Sequence, residues 1–426
     1  MINYIAAGFI CLVTFLLLRF VNNKSKQIML IDSFYFGLMS YFIGAAIARK
    51  FIFDFSDASN EVLKLSVYAL FSATLYYFFI KKENRQLALF QDSKNSNLIF
   101  MLFASVACFN IFFSLLIYQD FFTGNSISQI FSGDLLYTRK MIASGETGYY
   151  FPGLVKQLRD ILAPTLIFYL FIRYPSGKNF EISFLILTTF IAILFSGQRG
   201  PFIVLMFAIF VGQTMRSHIN KIPSKLNFLR FIFFSIITFT ILLSVNQILG
   251  RSIDSEVTGS EFTMNGVLQI LSRFFVEVPA SNIIAYDFIS NQNFGFGQLW
   301  IDDLKTLLPG SSGVIFSNEL HAELGGSFQG NAVLGFPLSA YINFGLTGVI
   351  FIPFLFMHFL EIIDKKSYQI NSPFLLSIRY VMLFFLTLAY DPTVFLLNGG
   401  LMLLSVFIFE LFRDYLKKST KLNDVF

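Results

Sequence analysis

FPLSAYINFGLTGVIFIPFLFMHF, residues 336–359, runs for twenty-four positions without a carboxylate, a lysine or an arginine. As an α-helix it would cover about 36 Å, enough to cross a hydrocarbon core of about 30 Å. A backbone in lipid must satisfy its own polar groups, and a helix does so within one segment. Comparable apolar runs lie near 2–20, 28–48, 62–80, 98–118, 157–174, 181–196, 201–215, 228–248, 373–390 and 393–412, about eleven spans in all. The chain is 13% charged, about half the share of a soluble domain, which excludes an ordinary soluble fold. No alternating strand-like segments occur, so the expected fold class is all-α, a polytopic membrane protein forming one domain over 1–426. The 58 phenylalanines spread over nearly every span and read as lipid-facing bulk. Cys11 and Cys108 both sit in apolar runs, so no disulfide framework or thiol metal site is expected. The first run lacks a basic flank and a cleavage site, as a retained span would.

Lysine and arginine in short loops set orientation. Lys24 and Lys26, Lys81 to Lys94, Arg173 and Lys178, Arg216 to Lys225, Lys365 and Lys366, and the tail from Arg413 to Lys421 all fall on one face. That face is expected to be cytoplasmic, with the N-terminus outside and the C-terminus inside. Arg49 and Lys50 break the pattern, offset by Asp54, Asp57 and Glu61. Two outer loops are long, 119–153 and 249–335. The second holds nine acidic and three basic residues, a net charge of −6 in a chain of +5 overall. Within it the apolar face of Val267, Ile270, Leu271, Phe274, Phe275 and Val278 predicts an amphipathic helix over 266–278, with Pro279 at its end or kink.

The groups able to do chemistry lie in these loops. Arg199 stands in FSGQRGPF between two spans, where glycines permit close approach and a guanidinium can fork onto phosphate oxygens; the competing reading is an interfacial arginine reaching lipid headgroups. Arg139 and Lys140 lie among Tyr137, Tyr149 and Tyr150, either as a ligand site or as an interfacial loop on anionic lipid. Arg273 is four residues from Glu277, so a local ion pair competes with substrate contact. Arg159 beside Asp160 reads as an internal charge pair. In SNELHAELGGSF, Glu319, His321 and Glu323 offer a general base for a hydroxyl. His218 and His358 map to the other face from His321, and no metal site is expected.

GQRGP between two spans, an arginine in an LSRF loop helix, LPG, and PLSAYINFGLTG entering a span resemble the bacterial oligosaccharide repeat-unit polymerases, the Wzy-type O-antigen polymerases. The resemblance covers span count and the order of two large outer loops across the whole chain, and extends to membrane glycosyltransferases of the GT-C type. It implies a polytopic enzyme of the bacterial inner membrane that takes undecaprenyl-pyrophosphate-linked oligosaccharides and joins them without cofactor, metal or nucleic acid. A flippase, a chain-length regulator and membrane lipid would be its partners. By position, Arg139, Arg199 and Arg273 would hold the pyrophosphate, with His321, Glu323 and Glu319 as candidate bases. The chain departs from one family pattern, an arginine followed after ten residues by glycine, in both long loops. An O-antigen ligase, with the same donor and a loop histidine, and a lipid-linked oligosaccharide flippase are the competing functions.

Overall fold

The computed structural model describes residues 2–22, 29–79, 101, 104–110, 157–174, 177–196, 199–220, 276–289, 295–305, 316–323, 334–370, 372–388 and 391–423. These residues are helical, with no strand element among them. Among the described residues, four helices are long and apolar enough to cross a membrane, which marks a membrane protein: Leu30–Phe51, Asp57–Phe79, Gly200–Ser217 and Phe336–Ile370. The expected span at 228–248, the loop 119–153 and most of 98–118 lie outside the described residues.

The chain divides into two compact units. The first comprises 1–87, 269–370 and 382–426. In it α1 (Ile2–Asn22), α2 (Leu30–Phe51) and α3 (Asp57–Phe79) pack through aromatic rings. Phe15 stacks on Tyr35 at 3.9 Å and meets Tyr77 edge-on at 4.8 Å. Polar atoms between these helices are satisfied locally. The Tyr35 hydroxyl donates to the Cys11 carbonyl at 2.9 Å, and Tyr77 donates to Asp32 at 2.8 Å. Asp32 also accepts from the Met29 amide, and Asp364 from the Leu30 amide, so two N–H groups at the start of α2 are met by carboxylates.

Three helices of the large loop follow: α7 (Glu277–Ile289), α8 (Gln298–Lys305) and α9 (Phe316–Glu323). For continuity, α4 (Ala163–Arg173), α5 (Asn179–Ser196) and α6 (Arg199–Ile219) belong to the second unit. The amphipathic helix expected over 266–278 lies largely outside the described residues. Its last two positions instead begin α7, where Pro279 sits in the first turn and needs no hydrogen-bond acceptor. Pro279 therefore lies in the opening turn of a described helix. Asn282 of α7 accepts from the hydroxyl of Tyr41, half-way along α2, at 3.1 Å and from the Gly335 amide at 2.8 Å. This part of the loop thus lies beside the apolar helices.

The stretch 336–359 differs most from expectation. Helix α10 (Phe336–Ile370) is broken at Gly345, whose φ of 63° and ψ of −158° suit glycine alone. The rings of Phe336 and Phe356, twenty residues apart, are 5.4 Å from centroid to centroid, whereas a straight helix would separate them by about 30 Å. Residues 336–344 and 346–370 are therefore two antiparallel arms of a hairpin. Gly348 lies where the arms touch, and a Cβ there would collide with the Ala340 carbonyl and come within 2.6 Å of Phe344 Cβ. A straight 35-residue helix would overrun a bilayer at about 52 Å, while the second arm alone measures about 37 Å. The chain then continues through α11 (Pro373–Leu386), α12 (Pro392–Phe395), a π-helical turn over Leu396–Gly400, and α13 (Leu401–Asn423). The Asp391 amide donates to the Leu334 carbonyl at 3.1 Å, tying the start of α12 to the base of the hairpin.

The second unit comprises 88–268 and 371–381. A π-helical turn over Leu158–Leu162 leads into α4, and the Ala163 amide reaches back to the Leu158 carbonyl. Arg159 grips Asp160 through Nε at 2.5 Å and Nη2 at 3.0 Å, both residues buried, which is the internal pair expected of them. Arg379 is fully buried beside the ring of Tyr380, which stacks on Phe168 at 4.9 Å.

Candidate functional site

At the base of the α10 hairpin, side chains from three segments close a buried carboxyl–hydroxyl network. Asp391 is fixed by its own sequence. In Asp-Pro-Thr it acts as the N-cap of α12, its Oδ1 accepting from the Thr393 amide at 2.6 Å while Pro392 presets the first helical φ. Its Oδ2 accepts from Ser339 Oγ, on the first arm of α10, and from Trp300 Nε1 of α8 at 3.2 Å. Trp300 also donates to Ser339 Oγ at 2.8 Å, and its ring meets Phe344 at 5.3 Å. Asp303, one turn after Trp300, accepts from the Phe316 amide at 3.1 Å and so holds the N-terminus of α9.

Thr393 joins the two acids. Its Oγ1 lies 2.5 Å from Asp391 Oδ1 and 2.8 Å from Asp303 Oδ2. A hydroxyl has one hydrogen, so it can donate to only one of them. The other contact needs a proton on a carboxyl. Burial pushes the Asp303 carboxyl above the usual carboxylate range, and the negative charges of Asp391 and Asp302 push the same way, against the bonds from Thr393 and the Phe316 amide. Burial therefore favours that proton on Asp303, with the Thr393 hydroxyl bridging the two carboxyls. Among the described residues, every donor to Asp391 is a neutral group.

The residues singled out from sequence fall as follows. Glu319, His321 and Glu323 occupy α9, the short helix anchored by Asp303. Positions 319 and 323 share one face, and His321 stands about 200° around the helix from each. The helix therefore does not gather all three at one point. Glu319 is exposed, His321 half-buried, and Leu320 between them fully buried. Arg199 opens α6 in the second unit. Arg139, Lys140 and Arg273 lie outside the described residues.

Two further groups were not singled out by sequence. The Asp303–Thr393–Asp391 network is one; its only sequence signal is the Asp-Pro-Thr capping signature at 391–393. The other is Arg49, in the last turn of α2. Its Nε donates to Asn60 Oδ1 at 2.6 Å and its guanidinium lies 4.6 Å from the Phe55 ring centroid. It is 2% exposed, against an exposed Lys50 beside it.

A scan against protein-family models finds no match for this chain, and searches of curated proteins and of solved structures find none either.

Proposed function

We propose that this chain polymerises undecaprenyl-pyrophosphate-linked oligosaccharide repeat units into O-antigen or a related surface polysaccharide, acting at the outer face of the bacterial inner membrane. About eleven spans, an outer N-terminus and a cytoplasmic C-terminus belong to this reading, on the strength of the lysine and arginine distribution. The structural observation that carries it is the buried polar network at the hairpin base. Buried ionisable side chains are costly and gather at functional sites, and Asp303 and Asp391 are both buried. Here they anchor α9, the helix that bears the candidate bases.

The reaction makes defined demands. The acceptor hydroxyl attacks the anomeric carbon of the donor, its proton passes to a base, and the bond to pyrophosphate breaks with both electrons leaving on oxygen. Arg199, Arg139 and Arg273 would stabilise the charge gathering on that leaving group. His321, Glu323 or Glu319 would take the proton. Arg199→Ala is expected to slow chain growth by about a hundredfold or more, collapsing the polysaccharide ladder in cells towards single repeats. A normal ladder from that variant would remove Arg199 from the site. A full-length ladder from His321→Ala, Glu323→Gln would likewise end the base assignment to those two residues.

One observation favours a second reading. Broken helices with polar groups at their ends are a device of secondary transporters, so the Gly345 break gives weight to a lipid-linked oligosaccharide flippase. Reconstitution with lipid-linked repeat units and no ion gradient separates the two, because a polymerase lengthens the glycan there and a flippase does not. A ligase is separated by the deletion phenotype: lost polymerase leaves single-repeat caps, lost ligase leaves bare lipid A-core.

A further inference from the structure

We propose that Arg49 binds a phosphate group carried by a lipid, at the end of α2. The guanidinium has five N–H donors, and its only hydrogen bond to a described residue runs from Nε to Asn60. Nη2 is buried without an acceptor, and no carboxylate among the described residues pairs with the charge. A buried cation lacking a counter-ion is strongly unfavourable, so the arrangement calls for an anion. An arginine that merely reached from the helix towards the headgroups would be exposed, and Arg49 is not.

The frame around it is built in advance. Asn60 accepts from Nε and donates through Nδ2 to the Phe55 carbonyl at 3.1 Å, while the Phe55 amide donates to the Arg49 carbonyl at 3.0 Å. The turn that places the Phe55 ring against the guanidinium has φ of 39° at Asp54 and 64° at Phe55, both in the left-handed region without glycine. Strain of this kind gathers at ligand clamps, and it makes the 52–56 turn the part that gives way when an anion enters.

The ligand class follows from position and shape. Arg49 lies in the last turn of a 22-residue membrane-crossing helix, about 33 Å long, which puts it level with lipid headgroups. Phosphate is the anion abundant there, and its oxygens fit the guanidinium fork. Exposed Lys50 adds a second positive charge at the rim. The phosphate has two possible sources, a bilayer phospholipid or a polyprenyl pyrophosphate. Binding needs no turnover, so the inference stands or falls apart from the polymerase reading.

The test is native mass spectrometry of the detergent-purified full chain, wild type and Arg49→Gln, titrated with phosphatidylglycerol, undecaprenyl pyrophosphate, diacylglycerol and inorganic pyrophosphate. The expected result is a loss of about tenfold or more in affinity for a phosphate-bearing lipid, with diacylglycerol unchanged. A loss confined to phosphatidylglycerol identifies a headgroup site, and one confined to undecaprenyl pyrophosphate identifies a lipid-pyrophosphate site. An effect on inorganic pyrophosphate alone, an equal loss for diacylglycerol, or no difference for any probe overturns the proposal. Should Arg49→Gln not fold, Arg49→Lys and Asn60→Ala carry the test, since each keeps the charge and loosens the fork. Both are expected to weaken phosphate-lipid binding, and unchanged affinity in both overturns the proposal.

Discussion

Replacing Gly345 by alanine is expected to open the α10 hairpin and to lower the apparent unfolding temperature of the detergent-solubilised protein. The backbone there sits at φ 63° and ψ −158°, a region closed to residues with a Cβ, and forcing one into it costs about 1–3 kcal/mol. Gly348→Ala attacks the same contact differently. Its new methyl meets the Ala340 carbonyl of the opposite arm, an overpacking expected to cost about 1–3 kcal/mol. The two positions are close enough that their effects should not simply add. The protein carries its own reporter, because its single tryptophan, Trp300, packs on Phe344 beside the turn. Opening the arms wets that ring and shifts its emission to longer wavelength. Wild-type emission and melting in both variants would show that the arms do not depend on close approach at this turn.

The second large effect concerns the linked acids, and it separates two substitutions that look alike. Asp391→Ala removes the acceptor of Ser339, Trp300 and both donors of Thr393. Each donor left without a partner costs about 1–3 kcal/mol, so a loss on the order of 3 kcal/mol or more is expected. Asp303→Asn should instead stay within about 1 kcal/mol of wild type, a near-neutral change. Its amide oxygen can accept from the Phe316 amide and its NH2 can donate to Thr393, as a protonated carboxyl at this position would. The pH dependence follows from the same proton. A carboxyl raised in the folded protein binds more protons there than in the unfolded chain. Its contribution is therefore full below the ordinary carboxylate range and is lost as pH rises through the raised value. The melting temperature of Asp303→Asn should show a smaller fall over that window than wild type does. An identical pH profile in both proteins would place the shared proton elsewhere.

The class of fold could be read from the sequence because lipid imposes a simple rule: long uncharged runs become helices, and α1, α2 and α3 lie close to where hydropathy puts them. Helix interiors were legible and helix interruptions were not. The run 346–359 continues the apolar pattern of 336–344 without a charged marker, and both contain residues welcome in lipid. Only the torsion at Gly345 tells two arms from one span. The candidate site divides along similar lines. Local chemistry announces itself, as in the Asp391-Pro392-Thr393 cap. The partners of Asp391, by contrast, come from positions 300 and 339, brought together by tertiary packing that no spacing encodes. Glu319, His321 and Glu323 looked like a cluster when read as a loop, and helical periodicity separates the histidine from the two acids. Arg49 was visible as an exception to the charge rule, but its burial and the Asn60 contact depend on the shape of the α2–α3 turn.

The carboxyl–hydroxyl network also sets an order of events during synthesis. Ser339 precedes its acceptor Asp391 by 52 residues, and Trp300 precedes it by 91. At translation rates of about 5–20 residues per second, the first arm of the hairpin waits roughly 3–10 s for Asp391 to be made. During that interval its polar base has no permanent acceptor from α12, and the arm can settle only when the final stretch of chain arrives. A nascent chain halted before Asp391 would thus hold the helices of 336–370 without the clasp that joins them to α8 and α9.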